Sequence, residues 1–547
     1  EPREILETRK GPTCMTRRRQ HQTPQGVWLS RGPRAWRVIT GYVGTWEIRI
    51  GLPRIGKHDS KGRTPSQAVH PHRKSDQPIV VTKRGNACGA KGLTKLDPYQ
   101  IHSNSTLRLT HRAHSMIQLE LLQSQWMRIR LKAQDHTIRF NNLLTQINTT
   151  SLREAFKALD GNKALGIDHI SKKQYGEKLE DNLTDLVSRI HLGTYKPQPK
   201  REVLIPKPNG DKRPLAIGCF EDKLVEWVVA KILENIYEPT FIRNSFGFRP
   251  SKSAHQAIQA CYCSLKDNQR PHVVEIDFSK FFNTIPHRKM MKILGKRIVD
   301  NRFKGLIGRL LKVAIQEQNG SLQPTELGTP QGSIASPVLA NIYLNEALDH
   351  WFLENHASYS NIIVRYADDA VFFFKCQQEA ENFLQQLHER VTGYGLSLNE
   401  DKTCIVDFRN TENNHFDFLG FTFYWGKIAR QKRQLAVKTQ KKQLHRKLQE
   451  FDQWVKDVRN QMKTSDIWKM AQSKLSGHYL YFGYWMNRPK LSHYYWGAIR
   501  SLYRWLNRRS QKRSYSWEGF KERLRQTPLP EPPSPSQLRQ LGWSPYV

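Results

Sequence analysis

Two runs of β-branched and aromatic residues, Ile362–Val364 and Val371–Phe374, flank the polar break Tyr366-Ala367-Asp368-Asp369. That pattern predicts a β-hairpin buried on at least one face. Upstream, Val273, Val274 and Ile276 make a short strand that delivers Asp277 at its end and runs on into Phe281-Phe282. Val203–Ile205 and Leu215–Ile217 are strand-like too, and Pro208-Asn209-Gly210-Asp211 between them is a strong hairpin turn. Short strands with turns also fit Gly395–Phe408 and His415–Trp425.

Elsewhere the spacing is helical. An amphipathic pattern opens at Met116; Leu143, Leu144 and Ile147 lead into another, and a further helix runs Lys178–His191. Asp222–Phe241 carries Leu224, Val228, Ile232 and Ile236 on one stripe. Asn244–Ile258 introduces a helix with Pro250 near its start and Ser251 as its expected cap. Thr329–Ser333 opens one whose Leu339, Ile342, Tyr343, Leu348, Trp351 and Phe352 share a face. From about 430 to 513 the chain reads as helical and basic, and from about 526 the Pro-rich tail reads as an extended, linker-like end. The mixture predicts an α+β fold.

Residues 1–115 hold neither period for long and are rich in Gly, Pro, Thr, Arg and His. They read as a disordered basic arm, or as sequence upstream of the true start, since the first residue is Glu. The chain carries 87 basic against 49 acidic side chains, a net charge of +38. That excess implies a polyanionic partner. Rings interleaved with the C-terminal cations (Trp454, Trp468, Tyr479, Tyr481, Trp485, Trp496, Trp505) offer stacking worth about 1–3 kcal/mol per base, or the core of a small helical bundle. Mean hydropathy is −0.67 and no apolar run suits a bilayer span, so no membrane is expected. Seven scattered cysteines without a CxxC pair read as reduced residues of a cytosolic chain.

Adjacent carboxylates at a hairpin tip raise each other's pKa and are costly to desolvate unless a cation neutralises them. A hard divalent ion is the natural partner. If the Asp277 strand lies beside the hairpin, Asp277, Asp368 and Asp369 could hold two metal ions about 3.5–4 Å apart, an arrangement suited to nucleotidyl transfer.

With these residues in view, the chain resembles a group II intron-encoded reverse transcriptase and maturase. Tyr-Ala-Asp-Asp and the Asp277–Phe282 segment are similar to the two metal-binding palm motifs of reverse transcriptases. Ser245-Phe-Gly-Phe-Arg-Pro with Ser253-Ala-His, and Pro330-Gln-Gly with Ser336-Pro, are spelled as in the intron lineage. Lys163–Asp168, Leu398-Asn399-x-x-Lys402-Thr403, Phe418-Leu-Gly-Phe421 and the Leu475–Trp485 stretch resemble further blocks of that family.

The resemblance implies a right-hand polymerase: fingers and palm with an antiparallel sheet over 116–425 (core 187–424), an α-helical thumb or maturase (X) domain over 430–525, and a tail over 526–547. It implies catalysis with two Mg²⁺ ions, Mn²⁺ being a substitute, held by Asp277, Asp368, Asp369 and the backbone carbonyl of Phe278. Lys207, Arg213 and Lys402 would face the triphosphate, Phe282 would gate the sugar, and Gln331 and Gly332 would line the nucleotide. Arg249, Arg508, Arg509, Lys512 and Arg513 are the expected RNA contacts. The implied partners are intron RNA, an RNA template, a DNA primer, dNTPs and target DNA; a dimer is left open. A bacterial cytoplasmic ribonucleoprotein is the expected setting. Asn283 stands where the family commonly has Asp, and no Cys follows Cys404, so a zinc-containing endonuclease domain is not expected. A splicing factor with little polymerase activity, or a reverse transcriptase domesticated for phage defence or a CRISPR-linked system, are the competing readings.

Overall fold

The computed structural model of the 547-residue chain describes residues 124–206, 212–357, 361–409, 414–427, 433–509 and 514–540. The expected arm over 1–115 lies outside the described residues, as do Lys207, Lys512 and Arg513.

Helix α1 (Gln125–Ala133) takes up the amphipathic pattern and is capped by the Ser124 hydroxyl, which accepts from Met127 N. A reciprocal cap between Asn148 and Ser151 starts α2 (Thr149–Ala158), and Gly193 at φ +81° ends α3 (Leu179–Leu192). Strands β1 (Lys200–Pro206) and β2 (Lys212–Ile217) form the expected hairpin, with Ile205 opposite Arg213. Helix α4 (Phe220–Tyr237) buries Val225, Val229 and Leu233 as well as the expected stripe, so it runs through the core rather than along its surface. Helix α5 (Ala254–Leu265) is capped by Ser253, in a capping box with Gln256, and not by Ser251, which sits at φ +58°.

Strand β3 (His272–Ile276) follows, then the short β4 (Ile315–Gln316) and β5 (Leu322–Gln323). Helix α6 (Ser336–Leu344) passes through a π turn at Asn345–Asp349 into α7 (His350–Asn355). Then come β6 (Ile362–Tyr366), β7 (Asp369–Phe374), α8 (Gln377–Gly393), β8 (Cys404–Asp407), β9 (His415–Phe418), β10 (Phe421–Lys427) and β11 (Arg433–Thr439). Helices α9 (Lys441–Val458), α10 (Thr464–Phe482), α11 (Arg488–Leu506), α12 (Trp517–Gln526) and α13 (Pro535–Gln540) complete the described chain.

The central sheet has the order β6-β7-β3-β8, antiparallel throughout. Alternate residues of its strands enter two cores. Val274, Ile276, Ile363, Phe372 and Phe374 pack with α4, α6 and α8; Val273, Val364, Val371 and Phe373 pack toward α5, β9–β11 and the C-terminal helices. The hairpin β1–β2 belongs to a mixed sheet, because β1 also pairs in parallel with β4.

Two expectations along the C-terminal part are corrected. Residues 433–439 are a strand, not helix: Leu435, Val437 and Thr439 point inward with a period of two, which the basic flanks obscured, and β10–β11 crosses the expected boundary near 430. The Pro-rich stretch is no free linker. Leu529 and Leu538 are buried in the second core, and Trp468 and Gln472 donate to the Thr527 and Pro528 carbonyls. Among the described residues no helix is long and apolar enough to cross a membrane.

Candidate active site

Tyr366 pairs with Asp369 across the β6–β7 hairpin, so the turn is only two residues, Ala367-Asp368, with Ala367 at φ +58°. Pairing of Ile276 with Ala370 sets Asp277, the next residue along, level with Asp369 at the same edge of the sheet. Two segments far apart in sequence thus bring three acidic residues to the same edge of the sheet. The Leu398–Thr403 segment wraps Asp277: Asn399 N donates to its backbone carbonyl (2.7 Å), and its own N–H reaches Thr403 Oγ1 (3.5 Å). Its carboxylate oxygen Oδ2 accepts from Lys402 Nζ (2.8 Å) and Asn399 Nδ2 (3.3 Å).

The acids feel one another. Burial raises the Asp368 pKa and the charge of Asp277 raises it further, against the pull of Arg213 and Arg365. Water reaches Asp369, yet the protein packed around it, Asp368 and Asp277 all push its pKa up, with Lys402 opposing. Groups that resist ionisation in this way gain from a dication, and carboxylate oxygens are the donors that Mg²⁺ takes. The donor set therefore fits a hard divalent ion. The expected ready-made three-carboxylate cage is not there, however: among the described residues no three Asp, Glu, His or Cys side chains are gathered closely enough to hold a metal. The Asp277 carboxylate is paired with the Lys402 ammonium. Phe278 bridges to Leu398 through ladder bonds made by its neighbours, Asn399 N to Asp277 O and Ser279 N to Ser397 O. Among the described residues no backbone hydrogen bond takes up the Phe278 carbonyl.

Arg213 lies on β2 and its charge reaches Asp368. Phe282 is half-buried against Phe281, and its carbonyl accepts from Thr329 N (2.6 Å). Gln331 donates through Nε2 to Asn283 Oδ1 (3.3 Å), and its carbonyl accepts from Ala216 N (2.7 Å). Gly332 sits at φ +107°, and a β-carbon there would come within 2.8 Å of Ala216 O. The close approach it permits in this structure is to β2. Arg249 also departs from expectation. It is nearly buried and paired with Glu238 at 2.9 Å; it also donates to the Ile242 and Ser245 carbonyls and lies over the Phe241 ring. A guanidinium engaged on all sides is an anchor for its loop and is not presented to template. Arg508 is exposed beside Trp505, with Arg500, Arg504, Tyr503 and Asn507 lining the adjacent hollow, whereas Arg509 is tied to Thr464 and Met462.

Sequence reading missed the residues behind the turn. Arg365 is fully buried and forks onto Asp349, itself fully buried (2.7 and 2.5 Å). It also donates to Asn341 Oδ1 (2.9 Å) and to the Ala367 carbonyl (2.8 Å). The available signal was an arginine inside an otherwise apolar strand. A second buried pair, Lys200–Glu226 at 2.5 Å, joins β1 to α4, and the other Glu226 oxygen accepts from Ile334 N (2.8 Å), just beyond Gly332.

With this geometry in hand, similarity to known proteins is informative. Residues 205–423 match the family model described as reverse transcriptase (RNA-dependent DNA polymerase). The chain is 31% identical to Protein YkfC of Escherichia coli over 325 residues, 53% of this chain and 84% of that protein. It is 37% identical to the group II intron-encoded protein LtrA of Lactococcus lactis over 201 residues, 37% of this chain and 33% of LtrA. It is 33% identical to a putative COX1/OXI3 intron 2 protein of Saccharomyces cerevisiae over 248 residues, 39% of this chain and 28% of that protein. The chain thus spans most of YkfC but a third or less of these two intron-encoded relatives. The matched segment contains the three carboxylates, and together these findings establish that the chain belongs to the reverse transcriptase family, among the group II intron reverse transcriptases and maturases.

Proposed function

We propose that this chain copies RNA into DNA from a primer 3′-hydroxyl, and binds a group II intron RNA to assist its splicing and its insertion into target DNA. The observation carrying the reading is the placement of Asp277, Asp368 and Asp369 at one sheet edge, where Asp277 raises the cost of ionising Asp368 and both raise that of Asp369. In this reading the fingers include the β1–β2 hairpin, the palm is the central sheet with α6 and α8, and the thumb is α9–α11.

When bound, divalent ions would favour deprotonation of the attacking hydroxyl and neutralise charge on the leaving pyrophosphate. Asp277 and Asp368 would be their main holders, Asp369 a weaker one, and the Phe278 carbonyl a further ligand. Lys207, Arg213 and Lys402 would oppose the triphosphate charge. Lys402, exposed beside Asp277, would reach the nucleotide phosphates from that edge of the site. Phe282 would meet a ribose 2′-hydroxyl and favour dNTPs. The basic face of α11, with Arg508, would hold RNA through its phosphates.

Asp368→Ala tests the reading. Primer extension on an RNA template should be abolished, while affinity for RNA measured by filter binding stays close to that of the unaltered chain. Extension that survives the substitution would refute the assignment.

A further inference from the structure

We infer that Arg365 and Asn341 are positioning residues for the reaction: buried behind the carboxylate turn, they fix the Ala367 carbonyl and with it the aim of Asp368. The inference rests on the polymerase reading of the site. A wholly buried ion pair such as Arg365–Asp349 gives little net stability over apolar residues of the same size, so its presence points to a role other than stability. The guanidinium atom Nη1 that is not committed to Asp349 reaches Asn341 and one backbone carbonyl, that of Ala367.

Ala367 holds a left-handed conformation, at φ +58°, that a residue with a β-carbon keeps only where its surroundings over-determine it. They do so from three sides. Arg365 takes the Ala367 carbonyl. Gly247 lies against the Ala367 amide so closely that a β-carbon on it would come within 2.3 Å of the nitrogen. Asn341, on α6, donates to the Gly247 carbonyl at 2.7 Å and so ties that clamp down. The Asn244–Gly247 segment is itself bonded to β6: Arg365 N donates to Asn244 O (3.0 Å) and Phe246 N to Arg365 O (2.8 Å). A helix, a strand and a glycine-containing loop thus converge on a turn of two residues. None of Arg365, Asn341 or Asp349 is exposed, so whatever they do for the chemistry goes through the turn.

The test is single-nucleotide incorporation by rapid quench, with the full chain, an RNA template and a DNA primer, for Arg365→Lys, Asn341→Ala and Gly247→Ala. Removing such supports of a metal-binding side chain is expected to lower the maximal rate about 10–100-fold. The Mg²⁺ concentration for half-maximal rate should rise, while the Kd values for primer–template and dNTP stay unchanged. A purely structural role would shrink the burst amplitude, the active fraction, without moving the rate or the Mg²⁺ requirement; that result overturns the inference. Should Arg365→Lys fail to fold, Asn341→Ala, which retains the Arg365–Asp349 pair, and Gly247→Ala decide. A normal rate and a normal Mg²⁺ requirement in both would overturn the inference. Asp368→Ala is run in parallel. Incorporation by that variant overturns the active-site reading itself, whereas its inactivity beside unaffected Arg365→Lys and Asn341→Ala removes only the positioning role.

Discussion

Replacing Lys200 by Met should do more damage than losing one surface charge. Lys200 and Glu226 are 2% and 3% exposed and meet at 2.5 Å. The substitution keeps the length of the side chain but leaves the Glu226 carboxylate buried without its counter-charge. Removing one partner of such a pair costs about 3–5 kcal/mol. The double variant Lys200→Met/Glu226→Leu should recover most of that loss, because no buried charge remains. It should still fall short by about 1–3 kcal/mol, since the Ile334 N–H that donated to Glu226 is left without an acceptor. Urea unfolding followed by circular dichroism gives the free energies of the unaltered chain, the single variant and the double variant. Because Ile334 follows Gln331 and Gly332, the double variant should also bind dNTP more weakly than the unaltered chain. Unfolding of Lys200→Met within about 0.5 kcal/mol of the unaltered chain, the scatter of ordinary surface changes, would refute the argument. So would a double variant no more stable than the single one.

Two further expectations concern the site and the C-terminal helices. Lys402 is 64% exposed, so Lys402→Met should leave the midpoint of thermal unfolding nearly unchanged. Loss of a charged donor to the triphosphate should weaken dNTP binding about tenfold, read from the Kd in single-turnover kinetics; an unchanged Kd would remove Lys402 from the nucleotide site. His478 stacks on Tyr494 at 3.6 Å between ring centroids, and burial, helped by the charge of Lys447, depresses its pKa from 6.5 to about 3. The unfolded chain therefore takes the proton first, so the contribution is whole above pH 6.5 and is lost as pH falls toward 3. About 5 kcal/mol is at stake across that window. His478→Phe should flatten the pH dependence of stability between pH 4 and 6.5, and an unchanged slope would count against it.

Much of the site was legible in the sequence because its polar residues interrupt strongly patterned strands. Asp277 ends an apolar strand and Asp368-Asp369 break another, and the structure pairs those strands in the register that sets Asp277 level with Asp369. Lys402 and Asn399 were legible only by resemblance, since nothing in a local pattern says that residues more than a hundred positions away will fold over Asp277. Arg249 was misread because an arginine beside a proline in a polar loop looks exposed, and its acidic partner, Glu238, closes an earlier helix. Arg365 was absorbed into an apolar run, although a charge there demands a buried counter-charge. β11 was missed because Arg433, Gln434 and Lys438 mask the alternation of Leu435 and Val437. The tail was misjudged because two leucines between prolines suffice to anchor an otherwise polar segment, which a count of composition does not register.

The two-residue turn carrying Asp368 has a consequence for how such an enzyme advances along its template. A loop pinned by a guanidinium, a glycine and a carboxamide is an anvil: it stays put from one cycle to the next. The acids do not travel with the growing strand. Each step must instead be taken by the nucleic acid, sliding one nucleotide past a fixed point.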